Sequence, residues 1–151
     1  MADTIREQII SAYVTRLDQI TNGNGYNSNV GNSVFRALKI IEQEDLPACV
    51  LWPGIEESVN RYGQNECVFT VKVEAIMEFG DTNPSVIQEQ LLGDLIKCMT
   101  DPEVVVTALI ESIEYIGGGP ADQPEARETS TAVYAEFQIK YEFLVGNPYG
   151  Q

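Results

Sequence analysis

Residues 67–79 read CVFTVKVEAIMEF. In this stretch Cys67, Phe69, Val71, Val73, Ala75, Met77 and Phe79 alternate with Thr70, Lys72, Glu74 and Glu78. Successive side chains of a strand point to opposite faces, so a period of two held this long predicts a strand with one buried face and one wet face. A second such run follows near the end of the chain. There Val133, Ala135, Phe137, Ile139, Tyr141 and Phe143 oppose Glu136, Gln138, Lys140 and Glu142. Two long half-wet strands leave an apolar face that another layer has to cover.

Helical spacing elsewhere supplies that layer. Ile5, Ile9, Ile10, Tyr13, Val14, Leu17 and Ile20 fall on one side of a helix over residues 4–20, with Thr4 and Glu7 placed as a capping box. Asn83 and Pro84 mark the start of a second helix carrying Ile87, Leu91, Leu92, Leu95, Ile96 and Met99, and Asp101-Pro102 ends it. Asn22-Gly23-Asn24-Gly25 breaks the first helix and opens a mobile polar loop to about Asn32.

The remaining signals are weaker. Ser33 to Ile41 reads as a strand, Glu42 to Asp45 as an acidic turn, and Ala48 to Trp52 as an apolar run stopped by Pro53-Gly54, so that the two runs suggest a hairpin. Val104 to Ile116 is ambiguous, one turn of helix and then a strand from about Leu109. Gly117-Gly118-Gly119-Pro120 begins a loop that lasts to Thr129. Residues 146–151 are a turn-rich end. The order α-β-β-β-α-β-β predicts one α+β domain over residues 1–151. It is a two-layer sandwich, with two helices on one face of a largely antiparallel sheet of about five strands.

Length and charge narrow the function. A chain of 151 residues is one domain and buries about 68–70% of its unfolded surface, so no disulfide or metal staple is called for. Asp and Glu number 23 against 9 Lys and Arg, a formal net charge of −14, which opposes binding to nucleic acid or to an anionic membrane. The sequence contains no His, which removes Ser-His and Cys-His catalysis and most zinc hydrolase sites. Charged residues throughout the first twenty exclude a signal-peptide core. Cys49, Cys67 and Cys98, an odd number without C-x-x-C spacing, read as buried thiols of a protein kept in a reducing cytoplasm.

No motif converges on chemistry. Glu42, Glu44 and Asp45, like Glu56 and Glu57, lack the spacing of a calcium loop and read as solvated carboxylates, so neither a metal nor a cofactor is expected. Gly117 to Gly119 lacks the Lys-Ser/Thr of a phosphate loop. What remains is a set of candidate contact residues for an assembly. Arg36 and Lys39 are either ordinary surface charges or, in an assembly, cations that meet a neighbour's acidic face, Trp52 is either a core edge or an interface anchor, and Gly117, Gly118, Gly119 and Arg127 complete the set.

Several strings carry a resemblance. They are the opening helix Thr4 to Ile20, the acidic turn into Leu46-Pro47-Ala48, the long strand to Phe79, Ile113-Glu114-Tyr115-Ile116-Gly117-Gly118-Gly119, and the close Gly146-Asn147-Pro148-Tyr149. In these and in element order, across nearly its whole length, the chain resembles the tail terminator, or minor tail, proteins of lambda-like and related long-tailed bacteriophages. The resemblance implies helices on one side of a sheet and a hexameric ring that caps the growing tail tube and stops its polymerisation. It implies as partners other copies of the chain, the tail tube protein and a head-completion or neck protein. DNA would pass through the ring without specific binding. The place implied is the tail or neck of the virion, with assembly in the host cytoplasm and no enzymatic activity. Another neck or connector adaptor is the alternative within that class. A small acidic ligand-binding domain and a metal-dependent enzyme are the alternatives outside it.

Overall fold

The computed structural model describes residues 2–37, 40–101, 108–121 and 129–150. The chain runs α1 (Ile5–Leu17), β1 (Val34–Arg36), β2 (Ala48–Arg61), β3 (Gln64–Glu78), α2 (Pro84–Thr100), β4 (Ser112–Pro120) and β5 (Ser130–Leu144). The five strands form one sheet in the order β1-β2-β3-β5-β4. Every pair is antiparallel except β1 with β2, and both helices lie on one face, so the fold is the expected α+β sandwich.

The core is the apolar set of the two alternating strands pressed against the helices. Phe69, Val71, Val73 and Ala75 of β3 and Val133, Ala135, Phe137 and Ile139 of β5 are buried with Ile9, Tyr13 and Leu17 of α1 and Leu91, Leu95 and Met99 of α2. The helix starts follow from local chemistry. The Thr4 hydroxyl accepts the Glu7 amide at 3.0 Å, and the Asn83 side chain accepts the Ser85 amide at 2.9 Å with Pro84 at the first helical position. The reciprocal half of the Thr4 capping box is not made, because the Glu7 carboxylate turns to Arg36 and Ser11 instead.

Four sequence expectations are corrected. The first concerns β1, which is three residues long and pairs in parallel with β2, so residues 33–52 are not a hairpin. The loop leaving α1 brings Ser33 to the beginning of β2, where its carbonyl accepts the Cys49 amide at 2.9 Å, and both strands therefore enter the sheet from the same end. Ala37, with a φ of 53°, ends β1 before Ile40 and Ile41 are reached.

The second concerns Pro53-Gly54, which does not stop β2. Since β1 reaches only Leu51, β2 is an edge strand beyond it, and a register shift between Pro53 and Glu56 absorbs both residues. The strand continues to Arg61 and turns at Tyr62-Gly63, both with positive φ, into β3.

Third, Gly117, Gly118 and Gly119 lie in β4 rather than in a loop, opposite Glu136, Ala135 and Tyr134 of β5. Pairing along β5 overrides the weak strand preference of glycine, and one of the three is required by its surroundings. A Cβ on Gly118 would stand 2.5 Å from the Tyr134 carbonyl oxygen and 3.0 Å from Leu92 of α2. The expected helical turn near Val104 falls on residues 102–107, outside the described residues.

The stretch 22–32 is also more ordered than a mobile loop. It contains two 3-10 turns, Asn22–Asn24 and Val30–Asn32, and buries Tyr26, Ser28, Val30 and Gly31. Asp94 of α2, itself buried, accepts the Asn27 amide at 2.9 Å and the Ser28 hydroxyl at 2.6 Å. One turn further on, Lys97 donates to the Gly25 carbonyl and lies 4.6 Å from the centre of the Tyr26 ring. Gly31 donates to the Ile20 carbonyl, and a Cβ there would meet three carbonyl oxygens of residues 17, 18 and 20 within 2.8 Å.

Candidate functional site

The surface most committed to something other than the fold is the sheet beyond the helices. The β2-β3 hairpin carries Ile55, Val59 and Tyr62 into solvent, and at the end of β5 Leu144 and Val145 do the same. Ordinary surfaces scatter single apolar residues, whereas here Val59, Tyr62, Leu144 and Val145 gather at one end of the sheet. Val145 donates to the Gly63 carbonyl at 3.0 Å, which ties the two together.

The root of this hairpin is braced from the core face. Glu56, placed opposite Phe69 by the bulge, accepts the Tyr141 hydroxyl at 2.6 Å and an Arg6 nitrogen at 3.4 Å. Arg6 also donates to the Gly54 carbonyl, and its guanidinium stands 4.5 Å from the centre of the Phe69 ring. Burial, followed by the neighbouring Glu56 carboxylate, pushes the Tyr141 hydroxyl well above the usual phenol range, so it acts as a fixed donor. The cluster holds the first helix to the hairpin. No reading of the sequence alone joined Arg6, Glu56 and Tyr141, which are far apart along the chain. A buried Tyr in register with a strand and a cation on the first turn of α1 were the only local signals.

The residues singled out from sequence do not form one site. Trp52, half-buried, sits on the outer face of β2 in the same row across the sheet as Lys72, Glu136 and Gly117. With three inter-strand steps between them, Trp52 and Gly117 are about 14 Å apart. Gly119 shares that outer face, while Gly118 and Arg36 belong to the core side. Lys39 and Arg127 lie outside the described residues. Trp52 also lines a shallow dent of about 230 Å³ with Gly54, Thr70, Lys72 and Glu136, and its indole nitrogen is buried without a hydrogen-bond partner among the described residues.

Arg36 is already engaged within the molecule. Both of its terminal nitrogens donate to the Glu7 carboxylate, the second at 2.8 Å, and Ser11 adds a hydroxyl at 2.7 Å. These bonds hold the Glu7 carboxyl down at about 2 from an ordinary 4.5. A depressed carboxyl contributes stability that is present above about pH 4.5 and lost as pH falls through about 2. Since the side chains are 34% and 38% exposed, screening keeps the contribution below about 1 kcal/mol. Arg36→Ala should therefore melt a few degrees below wild type at pH 7, with the gap closing by pH 2, as thermal unfolding would read. A gap that persists at pH 2 would count against the ion pair as its source.

The thiols are buried in apolar surroundings. Burial drives Cys49 well above the usual thiol range and Cys98 up to about 11, and the Cys98 thiol donates to the Arg16 carbonyl. The acidic turn becomes a short 3-10 segment, Gln43–Asp45, with Glu42 and Glu44 exposed. Among the described residues no group of three Cys, Asp or Glu side chains converges as a metal site, and no helix is long and apolar enough to cross a membrane. No protein-family model matches the chain, and no curated protein matches it.

Proposed function

We propose that this chain is a structural subunit of a long-tailed bacteriophage virion, a tail terminator that closes into a hexameric ring on the tail tube. The ring stops tube polymerisation and presents the joining surface to a head-completion protein. The protein has no catalytic role of its own. The observation that carries this reading is the open sheet, with helices on one face only, two edges unpaired among the described residues and exposed apolar residues along the β2-β3 hairpin. Such a surface is built for association. The α-β-β-β-α-β-β order with both helices on one side is also the layout implied by the resemblance described above.

Charge supports the same role. With a net charge of −14 per copy, a ring of this chain repels phosphate and lets DNA slide through it. A channel found to be lined with Lys and Arg would sink the proposal. Repulsion between copies also makes closure sensitive to screening, so the ring fraction at fixed protein concentration should rise with ionic strength or millimolar Mg²⁺.

The deciding experiment is native mass spectrometry or light scattering across a concentration series, with and without Mg²⁺, followed by addition of the chain to polymerising tail-tube protein. A closed cyclic oligomer, and tubes that stop growing once the chain is added, are the expected results. Tubes that elongate at an unchanged rate would refute the assignment.

A further inference from the structure

The two edges of the sheet are the surfaces a second copy can use, and they are complementary. β1 covers β2 only as far as Leu51, so residues 53–61 of β2 have no partner on that side among the described residues. At the far end of the sheet β4 is paired on one side only among the described residues. β2 runs antiparallel to β3, β3 to β5 and β5 to β4, so β4 runs opposite to β2. A neighbour brought up in the same orientation therefore meets β4 with its β2 as an antiparallel pair, the more stable ladder.

Side chains select a register. Glu114 of β4 is exposed, faces the outer side of the sheet opposite Gln138, and has no ion pair among the described residues. Arg61 near the tip of β2 faces the same side opposite Gln64, and its one ion pair among the described residues is a loose one of 3.5 Å to Glu66. Placing Glu114 of one copy opposite Arg61 of the next brings Ile116, the extra residue of the β4 bulge, to the level of Val59, and both apolar residues are about half exposed in the single chain. Edge strands are ordinarily blunted by prolines, bulges or inward charges; β2 carries these at Pro53 to Glu56 and β4 has a bulge at Ile116, which leaves residues 57–61 as the unblunted part of the β2 edge.

We infer that β4 of one copy adds to the free half of β2 of the next, with Glu114 against Arg61 and Ile116 against Val59. The contact joins two different surfaces of the same chain, so it propagates from copy to copy and can close into a ring. Because β1 keeps the first part of the β2 edge, neighbouring copies are staggered along their strands, as a sheet that closes on itself requires. The inference rests on the ring reading and specifies which surfaces meet.

The test uses full-length protein and the oligomer distribution by native mass spectrometry, with far-UV circular dichroism and melting temperature as controls for folding. Glu114→Arg and Arg61→Glu should each raise the concentration needed for assembly on the order of tenfold, and the double exchange should bring it back. Ile116→Lys should block only the β4 edge and Val59→Lys only the β2 edge. Each alone abolishes rings, and an equimolar mixture of the two gives dimers and nothing larger, since one good edge of each kind remains. If rings survive both lysine variants, the edges are not the interface and the ring reading stands without them. If Ile116→Lys abolishes assembly while Val59→Lys does nothing, β4 meets another β4 and the inference is overturned. A wild-type chain that stays monomeric throughout removes the inference and the ring reading together.

Discussion

Phe69→Ala is expected to cost about 3–5 kcal/mol of folding stability, the range for emptying a fully buried aromatic site. Phe69 is fully buried in the middle of β3. Its ring meets that of Tyr141 edge-on at 5.7 Å, and the Arg6 guanidinium lies over it at 4.5 Å. Removal leaves a cavity beneath the root of the hairpin and takes away the aromatic face under the cation. For a chain of this length the melting temperature should fall on the order of 10 °C, with a proportionate drop in the urea midpoint. Phe69→Leu, which refills much of the volume, should recover most of the loss. A Phe69→Ala chain that melts within a degree or two of wild type would show that β3 is not the centre of the core.

Asp94→Ala should be the next most damaging change, at about 1–3 kcal/mol, because it leaves the buried Ser28 hydroxyl and the part-buried Asn27 amide without their acceptor. Asp94 is 3% exposed and receives the Asn27 amide and the Ser28 hydroxyl. The effect should be concentrated in one place. Hydrogen exchange at the Asn27 amide and proteolysis within residues 21–32 should accelerate far more than exchange at the centre of β5. Asp94→Asn keeps one acceptor oxygen and should fall between the two. An alanine variant with unchanged exchange at Asn27 would mean that packing of Tyr26 and Val30, rather than the carboxylate, holds this segment.

Both variants bear on the proposed assembly in different ways. Phe69 and the Arg6-Glu56-Tyr141 cluster support the hairpin that carries Val59 and Arg61, so loosening them should weaken association as well as folding. Asp94 bonds the 22–32 segment rather than either sheet edge, and its loss should leave the oligomer distribution of the folded fraction unchanged.

The core layer was legible in residues 67–79 and 133–143 because their period of two is held by burial on one face, and burial constrains every second residue. The helix starts at Thr4 and Asn83 were legible for a similar reason, since capping is a contact between residues two or three apart. The polar half of β2 was not. Pro53-Gly54 is a strong local stop signal, and only the absence of a neighbour beyond Leu51 makes it tolerable. Gly117 to Gly119 misled in the same way. Nothing in a glycine run announces a strand, and what holds it there is the ladder with β5, whose residues come later in the chain.

The candidate contact residues divide along the same line. Arg36 stood out as a free cation because its partner Glu7 lies 29 residues earlier, and Trp52 and Gly117 occupy one row of the sheet without touching. By itself the sequence determined the two-layer α+β class, the helix caps, the buried thiols and the acidic charge. All of these depend on composition or on patterns within a few residues. Only the tertiary structure decided that β1 runs parallel, that the β2-β3 hairpin leaves apolar residues exposed, that Arg6, Glu56 and Tyr141 meet, and which edges remain open. Those outcomes depend on strand order and register, which are set by contacts between residues far apart in the chain and leave no periodic trace in it.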